Sequence, residues 1–201
     1  SIAHSVLRID GLDQRVPHRR FRWRYDPESY FGTPFSIGKY RVMWGRHSAY
    51  SRLDPARTIV RACAVSTDSV VVADWIAGGS TPWALSLPLS PDVTFDDVRR
   101  DSVAALVLPD GTDLGLDLPG TATSRRGTTE PYDGWWAEDY GMVRPATRLE
   151  VSGSGSGPVA WALWSGIRPD VRTDGATLVI DGIELRTTRQ TDGEITVEAG
   201  E

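Results

Sequence analysis

The feature that most constrains this chain is a period of two running along most of its length. In "RFRWRY", Arg20, Arg22 and Arg24 alternate with Phe21, Trp23 and Tyr25. Successive side chains of a strand point to opposite faces, so this stretch predicts one basic and one aromatic face. "KYRVMW" sets Tyr40, Val42 and Trp44 on one face. "TIVRACAV" and "SVVVADWI" are rich in β-branched residues, and the intervening "STD" reads as a hairpin turn. "WALSLPLS" aligns Trp83, Leu85, Leu87 and Leu89, while Pro88 lacks an N–H and predicts an edge or a bulge.

Turn chemistry supports the same reading. "VAALVLPDGTDLGLDL" predicts a hairpin around Pro109-Asp110-Gly111. "PVAWALWSG" is a further strand. Asp174-Gly175, Asp181-Gly182 and Asp192-Gly193 punctuate "ATLVID", "IELRTT" and "EITVEA" into a meander. The best helical stretch, "PDVTFDDVRRDS", is short. Residues 121–134 read as a long surface loop, and "GSGSG" at 153–157 as a turn tip. Roughly a dozen strands at this spacing predict an all-β fold: a large, supersandwich-like, two-sheet antiparallel β-sandwich with little or no helix. One domain spanning 1–201 is expected.

Bulk properties exclude several roles. The formal net charge of −5 argues against a nucleic-acid binder. No apolar run approaches the roughly 20 residues of a membrane-spanning helix. Cys63, the single cysteine, sits in an apolar run and reads as a small buried hydrophobe. With one Cys and three His, a self-contained cysteine-rich zinc site is excluded.

A few residues carry possible chemistry. His4 shares a face with Val6 and Arg8; it is either a ligand or base, or a satisfied polar residue. Asp10 lies about 20 Å further along an extended strand, too far to share an ion with it. His47 and Tyr50 in "WGRHSAYSRL" could exchange protons, or the tyrosine could simply close a strand. Arg20 and Arg22 belong to a basic stretch around His18 that suits either a polyanion or pairing with acids such as Asp26 and Glu28. Trp135 and Trp136 in "PYDGWWAEDYG" sit in a loop context, where aromatic faces can stack on sugar rings.

Taken in order, these segments resemble a known family. "HSVLRIDGLDQ" is similar to the His-Asn-Thr, Asp-Gly and Gln segment of the heparinase II/III-like polysaccharide lyases, with Ser5 and Val6 in place of Asn and Thr. "GRHSAYSRL" followed by "RTIVRACAVSTDSVVVADWIAG" resembles that family's turn and paired strands. "ALSLPLSPDV" resembles the next strand, without its histidines. "DYGMVRPATRLEVSGSGSGPVAWALWSGIRP" resembles the late strand pair.

The resemblance implies the C-terminal β-sandwich portion of an enzyme that cleaves uronic-acid-containing polysaccharide by β-elimination. It further implies that the N-terminal helical toroid and the main acid–base residues lie upstream of this chain. The piece alone would then be inactive, with that helical portion as its partner. Substrate contacts would fall to His47, Tyr50, Arg20, Arg22, Trp135 and Trp136. His4 would be one ligand of a structural zinc completed from outside the chain. The substrate would be an anionic polysaccharide, and the location secreted or periplasmic. A non-enzymatic carbohydrate-binding or interaction β-sandwich is the competing reading, with Trp135, Trp136 and the basic strand as its contacts.

Overall fold

The computed structural model describes residues 4–19, 22–100, 103–191 and 193–200. The first strands are β1 (Val6–Ile9), β2 (Val16–Arg19), β3 (Arg22–Tyr25), β4 (Ser29–Phe31), β5 (Phe35–Ile37) and β6 (Tyr40–Tyr50). Next come β7 (Arg57–Val65), β8 (Ser69–Ala77), β9 (Thr81–Pro88), β10 (Thr94–Arg100), β11 (Val103–Val107) and β12 (Asp113–Asp117). They are followed by β13 (Ala122–Arg126), β14 (Thr128–Thr129), β15 (Tyr132–Asp133), β16 (Trp135–Asp139), β17 (Met142–Pro145) and β18 (Thr147–Gly155). The chain ends with β19 (Val159–Trp164), β20 (Val171–Asp174), β21 (Thr177–Ile180), β22 (Ile183–Arg189) and β23 (Ile195–Ala199). No helix occurs among the described residues, so none is long and apolar enough to cross a membrane.

The fold is all-β and antiparallel, as the period of two requires. Its centre is a nine-stranded sheet ordered β10-β11-β12-β19-β8-β7-β6-β4, with β5 also on β6. A four-stranded sheet, β1-β9-β18-β13, packs on one face. The meander β20-β21-β22-β23 packs on the other. The central strands β7 and β8 are therefore covered on both sides. That explains their near-continuous apolar composition in place of strict alternation.

Each face has its own core. Towards the meander, Val60, Ala62, Ala64, Val71, Ala73 and Trp75 meet Leu178, Ile180, Leu185 and Val197. The alanines leave room for the larger side chains of the meander and for Trp75. Towards the four-stranded sheet, Ile59 and Ile76 meet Leu7, Ile9, Leu85, Leu87, Leu149 and Val151. A charged pair lies between the same strands. Arg61 and Asp74 are register partners, and the guanidinium donates from Nε (2.8 Å) and Nη2 (2.6 Å) to a carboxylate that is 1% exposed. Arg61 also donates to the carbonyl of Ser5, tying the lead-in of β1 to the central sheet.

Three tryptophans use glycine as a seat. Gly153 is the cross-strand partner of Trp83, and Gly115 of Trp164, while Gly32 donates its N–H to the carbonyl of Trp44. A Cβ at Gly153, Gly115 or Gly32 would lie 2.4, 2.3 or 1.9 Å from the facing indole ring. Each ring thus lies close over backbone that lacks a side chain, in a strand at Gly153 and Gly115 and just after β4 at Gly32.

Several local readings change on the structure. "PDVTFDDVRRDS" forms β10 instead of a helix, because a single short helical segment gains less than an edge strand paired to β11. Residues 121–134 contain β13, the outer strand of the four-stranded sheet, and the small β14–β15 ladder. "GSGSG" begins inside β18, where Gly153 seats Trp83. β9 is an inner strand, not an edge: Pro88 is its last residue and lies beyond the reach of β1, which pairs only to Ser86. The predicted hairpins do form. The β11–β12 turn has Gly111 at φ 86°, and the β21–β22 turn has Asp181 at 49° and Gly182 at 81°.

Gly115→Ala should destabilise the fold by about 1–3 kcal/mol, since the new methyl must displace the buried Trp164 ring. Gly120→Ala, whose Cβ would meet only Val151 Cγ1 at 3.4 Å, should be close to neutral. Urea unfolding of both variants checks the contrast.

Candidate functional site

One end of the β9–β18 ladder opens into a cleft of about 430 Å³. Pro88 and Leu89 close one wall, Ala146 to Arg148 another, and the segment from Tyr132 to Ala137 forms a third. His4 reaches the same cleft, because β1 runs antiparallel to β9 and its lead-in extends towards Pro88.

The aromatic wall is held by a tight turn. Gly134, at φ 71°, allows the chain to reverse where a Cβ would strike the Arg125 carbonyl at 2.6 Å. Its own carbonyl accepts from the N–H groups of Gly127 and Ala146, each at 2.8 Å. Trp135 then stacks on Tyr132, with centroids 5.4 Å apart and planes inclined by 8°, and its indole donates to the Thr128 carbonyl at 2.8 Å. Trp136 is 41% exposed and Tyr132 61% exposed, so both offer ring surface to solvent.

Beneath the aromatics lies a buried ionic network. Arg125 and Arg148 are register partners on β13 and β18, an arrangement that repels unless an anion intervenes. Asp133 supplies that anion. Arg148 donates to it from Nε (2.5 Å) and Nη2, and Arg125 adds a third bond at 3.3 Å. Arg148 also donates at 2.8 Å to Glu150, which accepts a further bond from Arg8 at 2.7 Å. Hydrogen bonding from Arg148 is the main reason that the Asp133 carboxyl titrates below its ordinary range. Burial alone would raise Glu150, but the guanidiniums of Arg148 and Arg8 outweigh it and lower its pKa. The five groups carry three positive and two negative charges. Arg125, partly exposed, stands at the outer end.

His4, Trp135 and Trp136 are thus brought to one cleft. His47 lies elsewhere, in a cleft of about 570 Å³ with Tyr30, Arg46 and Arg189. Its Nδ1 accepts from the Ala49 N–H at 3.3 Å, and its Nε2 faces the Gln14 amide at 3.4 Å. Burial lowers its pKa, so the imidazole is neutral at pH 7. The Tyr50 ring is 6.2 Å from His47 but fully buried, and its hydroxyl donates to the carbonyls of Leu12 (3.1 Å) and Leu7 (3.4 Å). Burial pushes its pKa up to about 12. In this conformation Tyr50 is a strut for β1 and presents nothing to a ligand.

Arg22 is exposed on the β2–β3 hairpin, and Arg20 lies outside the described residues. On that hairpin Arg15 pairs with Asp26 at 3.2 Å and stacks over Trp23. Cys63 is half-buried, and burial raises its thiol pKa, in keeping with a packing role. The sequence reading missed Arg148, Asp133 and Arg125. Asp133 stood inside the quoted "PYDGWW", but nothing local marked its partners on two other strands.

His4 does not sit in a zinc site made of this chain's described residues. No three His, Cys, Asp or Glu side chains gather there or elsewhere among them, and zinc takes four ligands in a structural site.

Arg148→Ala leaves the almost wholly buried Asp133 carboxylate with only the Arg125 and Gly134 N–H donors and should cost about 3 kcal/mol, read from urea unfolding. The depressed carboxyls set the pH limb. Their stabilisation is fully present above the ordinary values of 3.8 for Asp and 4.5 for Glu, and is lost as pH falls through the lower folded values. Acid unfolding of Arg148→Ala should therefore show a shallower dependence below pH 4.5 than the native chain. In an NMR titration, His47 should have its midpoint below 6.5.

Comparison with known proteins sets this geometry in a lineage. The chain superposes on heparan sulfate lyase HepC from Pedobacter heparinus with a TM-score of 0.57 and 15% identity, over 98% of this chain and 30% of that one. It superposes on heparinase III with a TM-score of 0.51 and 11% identity, over 98% of this chain and 29% of that one. At these identities the likeness is one of fold, and the chain spans less than a third of either structure. No curated protein matches the sequence. The family model for the heparinase II/III-like C-terminal region matches residues 1–191, and the chain belongs to that family.

Proposed function

We propose that this chain is the β-sandwich part of a polysaccharide lyase, and that the His4 cleft contributes contacts to a uronic-acid-containing polymer without performing the chemistry alone. The observation that carries the reading is the convergence of His4, Trp135 and Trp136 over the Arg148–Asp133–Arg125 network, in a chain of this family. Exposed indole and phenol faces suit sugar rings, and the excess positive charge of the network beneath them suits an acidic polymer.

In β-elimination a base removes the C5 proton of the uronate and the C5 carbanion expels the C4 oxygen, which takes up a proton. A C4=C5 double bond remains. Neutralising the carboxylate is essential, because the C5 proton is otherwise too weakly acidic for a side-chain base. Of the pair singled out by sequence, neither residue reaches the His4 cleft. Tyr50 is buried with a raised pKa, and neutral His47 lies in another cleft. On the family reading, the acid and base belong to the longer protein, together with any further donors for a zinc ion that would include His4. A polymeric substrate fits a secreted or periplasmic location.

The competing reading, a binding module without catalysis, draws on the same exposed Trp136. Both readings expect the isolated chain to bind a heparan sulfate hexasaccharide in calorimetry, with about tenfold weaker binding in Trp136→Ala. Both also expect no unsaturated uronate from it in an ultraviolet assay. They separate on the longer protein containing this sandwich: formation of unsaturated uronate supports the lyase, and binding without product supports the module. Turnover by the isolated chain would contradict the assignment of acid and base outside it.

A further inference from the structure

The opposite end of the β9–β18 ladder carries a second cleft, of about 420 Å³. Trp83 lines it and Pro88 lines the His4 cleft, so the two lie about 17 Å apart along the strand. Its walls come from the end of β18, the start of β19, the end of β12 and β20.

Several properties of this cleft point to one ligand chemistry. Two half-buried indoles, Trp83 and Trp161, line it. One face of the Trp83 ring is spent on Gly153, and the ring packs at the margin of the core between the two sheets. The Trp161 indole N–H is buried with no acceptor among the described residues, an arrangement that costs stability unless something completes it. The only charged side chains in the lining are Arg168 and Asp117, and they satisfy each other through bonds of 3.1 and 2.7 Å. The hydroxyls of Ser154 and Thr173 complete the polar rim.

We infer that this cleft is a second glycan site, separate from the His4 cleft, that takes an uncharged pyranose oligosaccharide. A pyranose ring offers an apolar C–H face to an indole and a rim of hydroxyls to hydrogen-bonding groups. A wall with no net charge gives a carboxylate or sulfate no partner and would leave it desolvated. A ring oxygen or hydroxyl that reaches the Trp161 N–H would satisfy the buried donor. The site therefore recognises neutral stretches or neighbouring glycans, and holds the sandwich on a polymer independently of the contacts at His4.

The test is a calorimetric titration of the whole chain with three neutral hexasaccharides: cellohexaose, maltohexaose and chitohexaose. A heparan sulfate hexasaccharide is titrated in parallel. At least one neutral probe should bind, about tenfold more weakly in Trp83→Ala and about threefold to tenfold more weakly in Trp161→Phe, which keeps a ring but removes the donor. Trp136→Ala should leave neutral binding unchanged. Circular dichroism checks that Trp83→Ala folds; if it does not, Trp161→Phe decides. Absence of binding by all three neutral probes overturns the inference, as does neutral binding indifferent to Trp161→Phe. Loss of heparan sulfate binding in Trp161→Phe would overturn the neutral class. Failure of Trp136→Ala to affect heparan sulfate bears only on the His4 cleft.

Discussion

Burial of the central sheet on both faces is the constraint on which the rest of this structure depends. β7 and β8 are covered on both sides over most of their length, so most positions are apolar or small. Alanines at 62, 64, 73 and 162 let the C-terminal meander approach, while Ile59 and Ile76 fill the opposite core. The one charged pair admitted, Arg61 with Asp74, is bidentate, and it reaches out to the Ser5 carbonyl. That bond fixes the lead-in of β1 and hence the region from which His4 enters its cleft. The four-stranded sheet, clamped by this contact and by the Tyr50 hydroxyl, carries both clefts at the two ends of β9 and β18.

Ion pairs and aromatics divide the remaining work. Within the His4 cleft the charges are structural first: Asp133 separates two cross-strand arginines and anchors the turn that lifts Trp135 and Trp136. The network carries one net positive charge, and Arg125 is its most exposed guanidinium. At the far end the charges cancel within the lining, and the aromatic surface dominates. A single ladder thus presents two chemically different ends, one over a network with excess positive charge and one whose lining charges pair with each other.

Much of the fold was legible because alternation and Asp-Gly turns are local signals. The β7–β8 hairpin, the β11–β12 turn and the C-terminal meander follow from them directly. What was not legible depends on partners distant in sequence. "PDVTFDDVRRDS" reads as a helix until β11 offers it an edge. Gly153 reads as a turn until Trp83 is laid over it. The third sheet was hidden for the same reason: the sequence shows that the meander exists, not which face it covers. At the site, Trp135, Trp136 and His4 were singled out by residue type. Arg148 and Asp133 were not, because a buried pair on β15 and β18 leaves no pattern along the chain. The resemblance to the heparinase II/III-like lyases was carried by ordered motifs, and the family match bears it out.

The most direct test of the account is hydrogen–deuterium exchange of the chain with and without a heparan sulfate hexasaccharide. The account predicts slowed exchange across Tyr132–Ala137 and Ala146–Arg148, the walls of the His4 cleft, with the far end of β18 unchanged. Protection confined to other segments, or none at a concentration that saturates binding, would contradict the placement of the acidic polymer at that cleft.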